Sequence, residues 1–192
     1  MDLQEALIGR RTIRRFKQEP VLVSQVEELI GAASLAPSAA NRLPLRYVAV
    51  MTPGRVAAVF KHTGWGGQVT PKRSPVPGRS APPCFVAVGA EAEQETPVLH
   101  ADAGAAIQNM LLKAYSMGLG ACWLGSFDRA RLREQLNLPG RFLPLYLVAL
   151  GYPDETPELV RIKRTDATPY YLTADDRLRV PKYEVGAVLS FR

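Results

Sequence analysis

Between Ala101 and Met117 the chain runs for 17 residues with only two charges, Asp102 and Lys113, and this segment limits what the molecule can be. Its residues are good helix formers, and Gly118-Leu119-Gly120 supplies a stop. A helix that is apolar or small on nearly every face has to be covered on nearly every face. In a chain of 192 residues, about the length of one domain, such a helix is central to the fold or lies in a subunit interface.

The flanking pattern alternates helices with strands. Asp2-x-x-Glu5 ahead of Leu7 and Ile8 reads as a capping box, and Ser24-x-x-Glu27 reads as a second, opening a helix that must stop at Ala36 before Pro37. Leu45 to Met51 alternates as a strand, and Thr52-Pro53 starts a helix to Lys61. Phe85 to Gly89, Ala121 to Leu124 and Leu143 to Leu150 read as strands, with a helix from Asp128 to Leu136. Residues 62–83 hold four glycines and five prolines. A loop of that length inside a domain is usually functional, so it is expected to act as a lid or arm, with Trp65 and Arg79 offering aromatic and cationic contacts. After Gly151 the pattern weakens until the apolar run Val185 to Phe191.

Composition excludes several classes. A hydrophobic share of 47% and a charged share of 22% are those of a globular protein. The longest uncharged run, 114–127, is too short for the roughly 18 apolar residues of a membrane span. The acidic start Met1-Asp2-Leu3-Gln4-Glu5 lacks a secretory leader, so a cytoplasmic location is expected. Cys84 and Cys122 sit in apolar runs as buried hydrophobes, and His62 and His100 stand apart, so no metal site is expected. GxSxG, HExxH and P-loop motifs are missing. Gly118-x-Gly120 with Gly125 follows a helix, the reverse of a dinucleotide-binding turn.

The basic charge is local. Residues 1–90 hold 12 basic and 5 acidic side chains, against 12 and 13 in residues 91–192. Five of the cations fall at Arg10, Arg11, Arg14, Arg15 and Lys17. In an extended chain Arg10, Thr12 and Arg14 point to one side, where two guanidiniums and a hydroxyl make a phosphate cradle. Taken alone the run reads as a solvated basic segment, and without interleaved aromatics it is poor evidence for nucleic-acid binding. Ala36 to Pro44 is a small, polar helix exit, and Gly118 to Phe127 is a helix stop followed by a strand.

Together and in this order, Arg10–Phe16, Ala36–Leu45, Asp102–Phe127 and Gly151–Pro157 resemble the FMN-dependent nitroreductase family. The resemblance covers roughly residues 3–165 and implies an α+β fold, a mixed β-sheet flanked by helices in an interlocked homodimer, with 166–192 as a C-terminal extension of the same domain. It implies one FMN in each of two interface clefts. By this resemblance Arg10, Arg11, Thr12 and Arg14 hold the phosphate and ribityl chain, aided by Arg161 and Lys163. Pro37, Ser38, Ala39 and Asn41 come from the partner subunit, and Leu124 and Gly125 present backbone near the ring's reactive nitrogen. Leu43 and Leu45 replace the family's Gln and Trp. The implied activity is hydride transfer from NAD(P)H through FMN to a nitroaromatic, quinone or related acceptor, with no side chain assigned as a catalytic acid or base and no metal, nucleic acid or membrane partner. The alternative is a flavin-binding protein of this fold without reductase turnover.

Overall fold

A computed structural model describes residues 2–67, 69, 70 and 74–192. In chain order its elements are α1 (Leu3–Gly9), α2 (Val23–Ser34), a 3-10 turn (Ala39–Asn41), β1 (Leu45–Val50), α3 (Pro53–Phe60), β2 (Val69–Thr70), β3 (Cys84–Glu91), α4 (Pro97–Ser116), β4 (Gly120–Leu124), α5 (Arg129–Leu136), β5 (Phe142–Gly151), β6 (Glu158–Ile162), β7 (Tyr170–Leu172), β8 (Leu178–Tyr183) and a last 3-10 turn (Val185–Ala187). The large sheet has the order β1-β3-β5-β4, and each of its pairings is antiparallel. A smaller sheet, β2-β7-β8-β6, mixes parallel and antiparallel pairs. The expected mixed α+β architecture is present, with the parallel pairing confined to this small sheet and to a bridge between Thr12 and Ala121 at the edge of β4.

Strand β3 is buried on both faces and feeds two cores by period-2 alternation. Cys84, Val86 and Val88 join Val148, Leu150, α2 and α4 on one side. Phe85 and Ala87 join Leu147, Ala149, Cys122, Leu124 and residues of α3 and α5 on the other.

The capping signals hold where a side chain reaches the backbone. Asp2 and Glu5 form the expected box. The second box does not: α2 begins at Val23, and it is Gln25 that accepts from the Leu22 N–H at 2.9 Å. Helix α4 starts earlier than its apolar run, because Thr96 caps it and Pro97 occupies the first turn. One face of α4 is buried by the sheet and α2, including Ala103, Ala106, Ile107, Met110 and Ala114. Ala101, Gly104, Ala105, Gln108, Leu112 and Tyr115 are not buried within one chain, so the cover that its composition demands is only half supplied.

Residues 62–83 are anchored at both ends. Gly64 N–H donates to Ser126 O at 2.8 Å, and the Ser80 carbonyl accepts from Phe16 N–H at 3.0 Å. Trp65 is buried in the core against Phe60 and bonded to Thr63, 2.7 Å away. It is therefore a packing residue, which corrects the contact role expected of it in a lid. Lys72 and Arg73 lie outside the described residues. The weakly patterned stretch after Gly151 folds into β6, β7 and β8 around Val69, Leu178 and Val180.

Gly120 tests how tightly the N-terminal segment is seated. A Cβ there would lie 2.7 Å from Ile13 Cγ1 and 2.8 Å from its Cβ, and such overpacking costs about 1–3 kcal/mol. Gly120→Ala is expected to lower the urea midpoint accordingly. Gly31→Ala, in open space on α2, is expected to raise stability by about 0.5–1 kcal/mol. Equal midpoints for the two variants would show that the segment is not seated on β4 as described.

Candidate functional site

The segment after α1 leaves the helix at Arg10 with φ −61° and ψ 121° and stays extended because both of its apolar residues are drawn inward. Ile13 N–H donates to Ala121 O at 3.0 Å, and Lys17 N–H to Tyr152 O at 2.9 Å. Ile13 and Phe16 are buried. Glu155, from the turn after β5, accepts from the backbone N–H groups of both Arg14 and Arg15. With backbone and apolar side chains committed inward, the four arginine side chains lie half-buried along the segment.

Arg14 lies 5.3 Å from the centroid of the Tyr170 ring, and Tyr170 is also the electrostatic neighbour of Arg10, so this pair shares a side. Arg15 turns to Asp176, 3.7 Å away. Arg11 donates to the Ile8 carbonyl and lies close enough to Arg10 and Arg161 to feel their charge. Burial draws Arg10 below its ordinary pKa. Arg11 is lowered by burial and then by Arg10 and Arg161. Arg11 Nε and Arg14 Nη1 are buried without a hydrogen-bond partner among the described residues. An unsatisfied buried donor costs about 1–3 kcal/mol. Four cations with two orphaned donors have the chemistry that could receive an oxyanion such as a phosphate monoester. Lys163 is exposed and donates to Asp166 through its backbone, and it enters no described contact with this cluster.

The loop from Pro37 to Pro44 is held in an unusual shape. Ala40, Asn41 and Leu43 have φ of 51°, 52° and 50°, a region costing roughly 1–2 kcal/mol per non-glycine residue. Three clamps oppose that strain. Buried Asp102 on α4 accepts from Ala39 N–H at 2.9 Å, Ser38 Oγ accepts from Leu43 N–H at 3.1 Å, and Arg46 donates to the carbonyls of Leu43 and Leu45. A small cavity of about 220 Å³ lies between this loop, the end of α2 and Tyr47, with Pro37 and Ser38 in its wall. Among the described residues no hydrogen bond or ion pair joins this loop to the Arg10–Arg14 segment.

At the end of β4, Leu124 points into the core beside Ile13 and Phe16. The pairing of β4 with β5 ends at Leu124–Leu147, which leaves Gly125 exposed beyond the ladder. The arginine segment and this strand end therefore belong to one edge of the sheet. No group of three or more metal-binding side chains occurs among the described residues. Burial pushes the Cys84 and Cys122 thiols up to about 12, which removes both as thiolate nucleophiles.

The sequence pattern of the nitroreductase family matches residues 7–152. The chain belongs to this family. A Methanothermobacter thermautotrophicus protein described as an NADH dehydrogenase/NAD(P)H nitroreductase is 28% identical over 162 residues, covering 82% of this chain and 80% of the relative. A Thermus thermophilus NADH dehydrogenase is 30% identical over 185 residues, covering 81% and 88%. Among solved structures, a Desulfovibrio desulfuricans protein described as a nitroreductase in complex with FMN superposes with a TM-score of 0.67 at 31% identity, covering 81% of this chain and 88% of the other. The basic segment, the strained loop and the β4 edge of this nitroreductase-family chain all lie inside the matched range.

Asp102, Glu155 and Tyr170 escaped sequence reasoning. Asp102 and Glu155 lay inside recognisable motifs but act on backbone amides distant in sequence, and Tyr170 belongs to a strand of three residues. Asp102→Leu is expected to free the Ala39 amide and raise the rate of proteolytic nicking at residues 38–43 several-fold. Asp102→Asn, which keeps an acceptor oxygen, should nick at close to the parental rate. Equal nicking of parent and Asp102→Leu would remove Asp102 as the clamp.

Proposed function

We propose that the chain is an FMN-dependent oxidoreductase that passes a hydride from NAD(P)H to a small nitroaromatic, quinone or related acceptor, and that it works as a homodimer. The observation that carries this reading is the cluster of Arg10, Arg11, Arg14 and Arg161, with its orphaned donors, on a segment that pairs with the β4 edge at Ala121. Arg10, Arg11, Thr12, Arg14 and Arg161 hold the phosphate and ribityl chain, with Lys163 at the margin. The backbone at Leu124 and Gly125 faces the ring. Pro37, Ser38, Ala39 and Asn41 complete the cleft from the partner subunit. FMN supplies the two-electron chemistry when bound, and the protein supplies position and charge. Two free buried cysteines suit a reducing compartment, in keeping with a cytoplasmic enzyme, and no described helix is long and apolar enough to cross a membrane.

What one chain leaves uncovered supports the dimer. The open stripe of α4 carries Ala101, Gly104 and Ala105, small residues that permit close helix approach, followed by Gln108, Leu112 and Tyr115. Trp123, 38% exposed, stands beside it, with its ring 3.6 Å from the Cβ position of Gly104. Leu3, Leu7 and Ile8 on α1, and Val185, Val188, Leu189 and Phe191 at the C-terminus, are exposed as well. Obligate interfaces bury on the order of 2,000 Å² or more, and these surfaces are of the kind such an interface covers. Sedimentation at low micromolar concentration is expected to show a dimer, and a folded, flavin-loaded monomer would refute it.

The cofactor assignment is tested by colour and by charge. The purified protein is expected to be yellow, to bleach with NADH or NADPH, and to regain colour when a quinone is added. Bleaching without reoxidation would indicate a flavoprotein lacking turnover. Guanidinium–anion hydrogen bonds are worth roughly 1.5–3 kcal/mol each, so Arg10→Ala and Arg14→Ala should each weaken FMN by about one to two decades while leaving riboflavin affinity nearly unchanged. Arg15→Ala, whose guanidinium is committed to Asp176, should change neither. Equal losses for all three arginines would mean a diffuse basic field in place of a phosphate site.

A further inference from the structure

Away from the basic cluster, side chains from four parts of the chain form one hydrogen-bonded line. Arg129, at the start of α5, grips Glu95 with both ends of its guanidinium. Glu95 Oε1 lies 2.7 Å from His100 Nε2. His100, in the first turns of α4, places Nδ1 2.9 Å from the hydroxyl of Tyr146 on β5. The Tyr146 ring meets His100 and Trp123 edge to face, with centroids 5.5 and 5.0 Å apart. It also lies alongside Gly125, whose Cβ position is 3.8 Å from Tyr146 Cε1.

The partners dictate the proton positions. The Arg129 hydrogen bond, and then that of His100, hold the Glu95 carboxyl below the usual carboxylate range, so Glu95 is an acceptor and His100 Nε2 must donate to it. When His100 is neutral, Nδ1 has only a lone pair and the Tyr146 O–H is spent on it. When His100 is protonated, Nδ1–H donates to the Tyr146 oxygen, and the phenolic hydrogen is released for another acceptor. One proton on His100 thus decides whether Tyr146 has a hydrogen to give, next to the glycine that the proposed function sets against the flavin ring.

We propose that Tyr146 hydrogen-bonds to the electron acceptor bound beside Gly125 and passes it a proton, with His100 as proton source and Glu95 and Arg129 as positioning residues. This rests on the reading that the flavin ring lies at Leu124–Gly125. In the reduction of a quinone, the reductase reaction supplies the hydride with its electron pair, and one oxygen then needs one proton. The Tyr146 O–H bond breaks toward that oxygen, and the Nδ1 proton of His100 moves onto the phenolate. His100, whose side chain is 31% exposed, regains a proton from water. The step moves one proton from solvent to product and changes no oxidation state of the protein.

The test uses the flavin-loaded protein. Tyr146→Phe and His100→Gln are expected to keep FMN affinity and the rate of bleaching by NAD(P)H within about twofold, but to slow reoxidation by a quinone at least tenfold. In the parent, reoxidation should slow as pH rises, and both variants should lose that dependence. A readout independent of turnover is the fluorescence of Trp123 in a Trp65→Phe background. It should change with pH in step with the His100 ring resonances and stop changing in His100→Gln. Parental reoxidation rates and pH profiles in Tyr146→Phe would overturn the proposal while leaving the flavin reading intact. A protein that binds no FMN would overturn both.

Discussion

The seating of Ile13 and Phe16 in the core beside β4 is the contact on which the rest of the site depends. Both side chains are buried, and the intervening arginines lie half-buried. Glu155 completes the arrangement by holding the main chain, its carboxylate accepting from the backbone N–H groups of Arg14 and Arg15. Burial lowers both Arg10 and Arg11, a desolvation that a bound oxyanion would relieve.

Helix α4 ties the other parts together. Its buried face closes one core of the large sheet, its Asp102 fixes the Pro37–Pro44 loop, its N-terminal turns carry His100, and its other side, with Ala101, Gly104 and Ala105, is left uncovered within one chain. Strain in the loop is tolerated because three clamps act on it at once. A loop with three non-glycine residues at positive φ would relax if any large share of those clamps were lost, and its conformation is therefore as much a property of α4 and Arg46 as of its own sequence.

Much of this order was legible in the chain, and what was not has a physical explanation. The large sheet and its helices could be read because their patterns are long: β3 and β5 are continuous apolar runs, and α4 announces itself by lacking charge. The Thr-Pro pair that marks the start of α3 recurs at Thr96-Pro97, yet α4 was expected to start only at Ala101 because the periodic apolar run begins there. The small sheet was hidden because β7 is only three residues long, because charges interrupt β6 and β8, and because they bury one minor cluster around Val69, Leu178 and Val180. Of the candidate site, the basic segment and the end of β4 were visible as motifs. Tyr170 beneath Arg14, Asp102 beneath Ala39 and the line from Arg129 to Tyr146 join residues far apart in sequence, and no local pattern encodes such pairs.

Leu43 brings these threads to one position. The resemblance expects a glutamine there, whereas this chain places an apolar side chain that is 51% exposed on a backbone at φ 50°. Each feature is unfavourable in a solvated loop: the side chain gains nothing from water, and the left-handed conformation costs roughly 1–2 kcal/mol. The combination makes sense where the loop is covered, since burying a leucine returns about 1.5–3 kcal/mol, enough to offset the strain. That balance is the one expected of a loop that is covered in the proposed dimer, with an edge more apolar than one carrying glutamine.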